Sequence, residues 1–324
     1  MKAAEFFAGM GLMRAGLERC GIETVFANDV DATKAALYRE NWGRSEFRKG
    51  DIRDLYGSDI PDADIATASF PCVDLSLAGY RAGLEGTRSG VVFEFMRILG
   101  EMRSAPPIVL LENVPGFLTA NGGRDFEAVV RSLEGLGYRV RHISVDAAAF
   151  VPQSRVRVFV IGCRDIDPPL LPKPPERSSG RLADIVRDEG TWWGAKRMAC
   201  FLGSLSDLQA ERVDAFQRQS HVSCHGAYRR TRKGKAVWEV RADEIAGALR
   251  TTAGGSGRQA VLRVGNGDFA ARWMDVPEYA ALQGADGMTW ESVSPRQAMY
   301  AFGDAVCVPV VEWIAKHALI PAHA

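Results

Sequence analysis

The first half of the chain alternates short apolar runs with amphipathic stretches, and no other feature restricts its fold as strongly. Lys2–Phe7, Glu23–Ala27, Ile65–Ser69 and Ile108–Leu111 read as strands. Leu12–Cys20, stopped by Gly21, and Ala32–Asn41 read as helices between them. Strands separated by helices predict an α/β fold, a doubly wound and mostly parallel sheet covered on both faces. Tyr138–Val145 and Val156–Cys163 add two more β-rich runs. The rhythm stops at Asp167-Pro-Pro-Leu-Leu-Pro-Lys-Pro-Pro175, a proline-rich segment that reads as a linker. Beyond it come the triplet Trp192-Trp193-Gly194, a basic run and the Gly-rich Thr251-Thr-Ala-Gly-Gly-Ser-Gly257. Helical patterning returns in Pro277–Gln283, Pro295–Phe302 and Val308–Leu319. This organisation predicts a first domain over 1–168 and a change of character over 169–275, and about two domains also suit a chain of 324 residues.

Composition narrows the class of protein. Apolar residues make up 47% and charged residues 25%, a globular mix that excludes a collagen-like, coiled-coil or disordered chain. No run of apolar residues is long enough for a membrane span, and Met1–Gly11 lacks a secretory pattern, so a cytoplasmic protein without a membrane partner is expected. Forty basic against forty acidic residues give no net charge, so any nucleic-acid surface must be a local patch. The six cysteines form no C-x-x-C pair, which argues against disulfides. His221, Cys224 and His225 lack a fourth ligand at a sensible spacing, so no metal site is expected.

Several residues converge on the carboxyl edge of the predicted sheet, where such folds bind ligands. Glu5-Phe-Phe-Ala-Gly-Met-Gly11 ends the first strand; its glycines serve either a plain tight turn or a backbone that closes on a ligand. Arg14 stands where a dinucleotide fingerprint has its third glycine, which counts against a nicotinamide enzyme. Asp29 ends the second strand, where an acid suits a ribose diol, and Asp51 follows another strand. Taken singly, each is a loop acid or a helix cap; in this order they suggest an adenosyl ligand. Cys72 follows the strand ending at Ser69 and is either a nucleophile or a buried inert thiol. Val73–Gly90 is rich in glycine and reads as a mobile loop. Glu112 ends the next buried strand, where partial desolvation can raise a carboxyl's pKa and make it a proton donor. Arg155 and Arg157 alternate along a strand, so both are expected on one face.

The ordered set Phe7-Ala-Gly-Met-Gly11, Asp29, Gly50-Asp51, Phe70-Pro-Cys72, Arg88-Ser-Gly-Val-Val-Phe93, Glu112-Asn-Val114, Gln153-x-Arg155-x-Arg157, Glu278–Gly284 and Phe302-Gly-Asp-Ala-Val306 resembles the bacterial DNA (cytosine-5)-methyltransferase family. The resemblance implies methyl transfer from S-adenosyl-L-methionine to C5 of a flipped-out cytosine in double-stranded DNA. It implies Cys72 as the nucleophile toward C6, Glu112 at N3, Arg157 at the cytosine O2 and Arg155 near base or sugar-phosphate oxygens. It assigns Phe7, Ala8, Gly9, Gly11, Leu12, Asp29, Val30, Asp51, Ile52, Pro71, Val91, Asp304 and Val306 to the cofactor. Val73, Asp304 and Ala305 depart from the family's usual Gln, Asn and Ser, and Tyr279 stands where Cys is common.

The resemblance implies that 276–324 returns to the first domain, because Phe302–Val306 matches the cofactor site, so that one domain spans 1–168 plus 276–324. It makes the smaller domain, 169–275, a target recognition domain, with DNA in the cleft between the two. The cations of Tyr228-Arg-Arg-Thr-Arg-Lys-Gly-Lys235, followed by Arg241, Arg250 and Arg258 and interleaved with Tyr228 and Trp238, are then the expected DNA contacts, the alternative being a solvated basic hairpin. A companion restriction endonuclease and a monomeric state are further implications. The chain begins one residue before its first strand, so no N-terminal regulatory domain is expected. A tRNA cytosine-5 methyltransferase on the same scaffold and a non-enzymatic DNA-binding module are the alternatives; the second would not need Cys72, Glu112 and the arginine pair together.

Overall fold

A computed structural model describes residues 1–71, 90–176, 180–232, 234–250 and 257–323. Cys72, Val73, the rest of the Gly-rich stretch to Ser89, Lys233 and residues 251–256 lie outside the described residues. The chain divides into two compact units. The first contains Met1–Asp146, Val156–Pro174 and Val308–Ala324; the second contains Ala147–Arg155 and Pro175–Cys307.

The first unit carries a seven-stranded sheet of β1 (Lys2–Phe6), β2 (Glu23–Asp29), β3 (Phe47–Lys49), β4 (Ile65–Ser69), β5 (Ile108–Asn113), β6 (Arg139–Asp146) and β7 (Val156–Cys163), in the order β3-β2-β1-β4-β5-β7-β6. The first five are parallel, whereas β7 runs antiparallel to β5 and β6. Strand order reverses between β1 and β4, which puts the topological switch point at their carboxyl ends. Its helices are α1 (Leu12–Glu18), α2 (Ala32–Trp42), α3 (Val91–Glu101) and α4 (Arg124–Gly135).

Alternate residues of the central strands point to opposite faces. Ala4, Phe6, Ala66, Ala68, Val109 and Leu111 pack with Phe95 and Leu99 of α3 and Val129 and Leu133 of α4. The intervening Ala3, Ile65, Thr67, Ile108 and Leu110 are also buried, so both faces are covered, as parallel sheets require.

The second unit has its own core. Helices α5 (Ala195–Leu202) and α6 (Asp207–Gln217) accompany an antiparallel sheet of β8 (Ser223–Arg232), β9 (Lys235–Val240), β10 (Gln259–Gly265) and β11 (Asp268–Trp273), ordered β11-β10-β8-β9. Phe201, Trp238, Val240, Leu262 and Val264 form the core. Helices α7 (Val276–Leu282) and α8 (Pro295–Asp304) belong to this unit, unlike the sequence division, which groups 276–307 with the first domain. Buried polar contacts hold them there. Arg272 forms an ion pair with Glu278 in which both side chains are almost wholly inaccessible. The Gln283 amide donates to the carbonyls of Phe302 and Ala305.

Helix α9 (Val308–Ile314) returns to the first unit and packs on α1. The stretch Pro295–His323 has the length and hydropathy of a membrane span, but more than half of its most apolar window is buried inside the protein.

Candidate active site

The carboxyl edge of the first unit's sheet is built from β1, β2, β4, β5 and β7. Strand β1 ends in a turn that only a permissive backbone can make: Phe7, Gly9 and Gly11 all have positive φ. Three contacts fix it. The Ala8 N–H donates to the Asn28 carbonyl at 2.9 Å. The Gly9 N–H donates to Asp29 Oδ2 at 2.8 Å. Trp42 Nε1 donates to the Met10 carbonyl at 3.1 Å. Among the described residues, a side chain at Gly9 would meet no atom within 4 Å, whereas one at Gly11 would collide with Trp42.

Asp29 is 7% exposed and its other oxygen accepts from the Asp31 N–H at 2.8 Å. Burial raises its pKa; Lys34 and the two backbone donors oppose that shift. Val30, beside it, is 63% exposed, an unusual setting for an apolar side chain. Asn28 Nδ2 ties the ends of β2 and β3 together through the Arg48 and Gly50 carbonyls. Asp51 caps the following turn through the Arg53 N–H. Ile52 packs in the core, and Phe7 and Val91 are partly buried against it. Leu12 and Ala8 are buried, while Pro71 is exposed. An acid accepting from the turn, an exposed apolar side chain and, among the described residues, room at Gly9 fit a nucleoside-bearing ligand.

The second cluster lies on β4, β5 and β7. Glu112 pairs in register with Ser69 of β4, three residues before Cys72. It is 7% exposed, and Arg157 of β7 brings its Nε to 3.1 Å from Glu112 Oε1. Asn113 was not singled out in the sequence, yet its amide donates to the Phe70 carbonyl at 3.0 Å and so holds the strand end that leads to Cys72. The Glu-Asn-Val motif contained that signal.

The two arginines separate, contrary to the alternation along the strand. Arg155 precedes β7, is 2% exposed and belongs to the second unit. Its guanidinium donates to the carbonyls of Leu249 at 2.9 Å, Gly303 at 3.2 Å and Ala305 at 2.7 Å. A cation there satisfies two carbonyls at the end of α8 and that of Leu249, which is a structural task. Gln153 works beside it, donating to Leu282 and accepting from the Leu249 N–H. Asp304 and Val306 also lie in the second unit; Asp304 is exposed and Val306 buried.

The basic hairpin is only partly as expected. Arg229 and Arg230 are exposed on β8, but Arg230 pairs with Glu239 at 3.0 Å and lies over Tyr228. Trp238 is 8% exposed inside the core, so it offers no free stacking face. Burial lowers the pKa of His225, which stacks on Phe216 and contacts Ser223 Oγ at 3.0 Å.

Comparisons with known proteins identify the family and the fold. Residues 1–319 match the C-5 cytosine-specific DNA methylase family. The chain is 37% identical over 190 residues to Type II methyltransferase M.NgoBI of Neisseria gonorrhoeae, covering 58% of this chain and 59% of that protein. It is 34% identical over 171 residues to Type II methyltransferase M.Bsp6I of Bacillus sp. (strain RFL6), covering 52% and 53%. The chain thus spans little more than half the length of these relatives. The crystal structure of S. pombe Dnmt2 methyltransferase superposes with a TM-score of 0.69 over 99% of both chains at 18% identity, a likeness of fold. The chain belongs to the C-5 cytosine-specific DNA methylase family.

Proposed function

We propose that the protein transfers a methyl group to C5 of cytosine within a specific word of duplex DNA, with the cytosine flipped out of the helix. The observation that carries this reading is the buried Glu112–Arg157 pair, in register with Ser69 and three residues from Cys72 along the chain.

Cytosine C5 is a weak nucleophile until a group adds across the neighbouring carbon. The Cys72 thiolate forms a bond to C6, and the ring's electron density moves toward N3, where Glu112 donates a proton or a hydrogen bond. Arg157, 3.1 Å from Glu112, would orient that carboxyl and hold the base at O2. S-adenosyl-L-methionine, when bound, supplies an electrophilic methyl group to the activated C5. Loss of the C5 proton then restores the ring, and the C6–sulfur bond breaks to return the thiolate. Ala8, Gly9, Gly11 and Leu12 would hold the methionine end of the cofactor. Asp29 would take the ribose diol, with Phe7, Val30, Asp51, Ile52 and Val91 lining the adenosine site and Pro71 also touching the cofactor. The reading extends to a monomer in the cytoplasm and a companion endonuclease acting on the same word.

Bisulfite sequencing of DNA from a host expressing the chain identifies the target word. Duplex carrying 5-fluorocytosine in that word, incubated with protein and S-adenosyl-L-methionine, should then give a denaturation-resistant adduct, because fluorine cannot leave C5 as a cation. Cys72→Ser should abolish adduct and turnover, and Glu112→Gln should slow both. Wild-type turnover in Cys72→Ser would overturn the mechanism.

A further inference from the structure

The pair Trp192-Trp193 straddles the edge of the second unit's sheet. The Trp193 N–H donates to the Ala271 carbonyl of edge strand β11 at 2.8 Å. Trp193 packs against Phe201, Trp238 and Trp273 on the core side. Trp192 meets Arg263 and Arg272, which alternate with the core-facing residues of β10 and β11 and so stand on the opposite face.

Each face therefore carries an indole with two guanidinium groups, and their charges are treated differently. Beside Trp192, Arg263 pairs with Asp188 at 3.1 Å and Arg272 with Glu278 at 2.5 Å, so both cations are neutralised. On the other face Arg197 and Arg258 lie 5.3 and 5.1 Å from the Trp273 ring centroid, and Arg197 also lies 4.6 Å from that of Trp193. Both arginines are exposed, and among the described residues neither has a carboxylate within ion-pair distance. Partial desolvation lowers the pKa of Arg258, Tyr279 opposes that shift, and the charge of Arg197 adds to it. The indoles beneath are locked into the core by Trp238 and Phe201, so the guanidinium groups rest on a fixed platform. Two like charges held together without an acid are stabilised by an anion, and two planar forks suit the oxygens of a phosphodiester.

We propose that Arg197 and Arg258, resting on Trp273, bind one phosphodiester of the DNA backbone. The site rests on the reading that the substrate is duplex DNA; it lies apart from the β8–β9 cations, and of its two arginines only Arg258 was among the basic residues singled out in the sequence.

The test measures binding of the full chain to fluorescein-labelled duplex across a salt series. The double variant Arg197→Ala/Arg258→Ala should reduce the slope of log K against log salt by about one unit. Affinity should fall about tenfold, the loss of one charge-assisted contact. Arg263→Ala, whose cation is already paired, should leave the slope unchanged. Phenylglyoxal labelling of the wild-type protein, mapped by mass spectrometry, gives a reading independent of any variant's folding. Duplex should protect Arg197 and Arg258 but not Arg263. Equal labelling with and without duplex, in protein that binds and methylates DNA, overturns the site alone. A wild-type chain that neither binds nor methylates duplex overturns the DNA reading and the site together.

Discussion

Glu5 sits on β1 just before the turn at Phe7–Gly11, 2% exposed, with one carboxyl oxygen lacking a hydrogen-bond partner among the described residues. Burial pushes its pKa up to about 8, Arg14 opposes the shift, and Asp29 and Glu18 add to it. The folded protein thus keeps a proton that the unfolded chain releases near 4.5. This contribution to stability is complete below that value and is lost as pH rises through the folded pKa. Glu5→Gln is neutral throughout. Its stability relative to wild type should therefore grow between pH 5 and 8, by at most about 1.4 kcal/mol per pH unit. Denaturant unfolding of both proteins at pH 5, 7 and 9 checks this, and parallel pH profiles would refute it. Glu5 carried no readable signal in the sequence beyond being an acid in an apolar strand. Arg155 and Arg157 show the same limit: their spacing suggested a matched pair, but burial decided their roles. One guanidinium satisfies three carbonyls, and the other meets Glu112.

Whole elements were more legible, because periodicity reports burial directly. Ile65–Ser69 and Val156–Cys163 appear with the boundaries read from the sequence, and β1, β2, α1 and α2 within about two residues, the usual scatter of element ends. Segment 176–262 was not legible in this way: besides its local hairpin with β9, β8 takes a second partner, β10, from further along the chain, and sequence pattern does not report such a pairing. What the elements supply to the site is a rigid strand end. Asn113, 4% exposed, joins the end of β5 to the Phe70 carbonyl beyond β4. Asn113→Ala leaves that carbonyl without this donor and should cost about 1–2 kcal/mol of stability. The larger effect should fall on chemistry, because Cys72 lies two residues on and loses its anchor. The expected pattern is a lower kcat for methyl transfer with cofactor affinity unchanged by calorimetry. An unchanged kcat in a folded Asn113→Ala protein would show that the joint does not position the thiol.

At the scale of the whole molecule, the first unit is assembled from three separate stretches of chain, and its last piece is Val308–Ala324. Helix α9 packs on α1, with Cys20 Sγ donating to the Glu312 carbonyl and Arg19 pairing with Glu312 at 3.5 Å. The start of the chain is therefore closed by a segment some three hundred residues away, the kind of long-range contact that slows folding. Gly16 makes that closure possible. A Cβ built there would lie 2.5 Å from Val311 Cβ and 3.0 Å from the Val308 carbonyl oxygen. Two effects compete in Gly16→Ala. Helix propensity alone would stabilise α1 by about 1 kcal/mol. The clash must push α9 away, and overpacking of this kind costs about 1–3 kcal/mol. Because one obstacle is backbone and the other is a Cβ, neither can rotate aside, and the clash should win. Gly16→Ala should thus lower the midpoint of denaturant unfolding rather than raise it, and Gly16→Val, bulkier and β-branched, should lower it further. A midpoint that rises in Gly16→Ala would mean that α1 and α9 are not packed at this distance in solution.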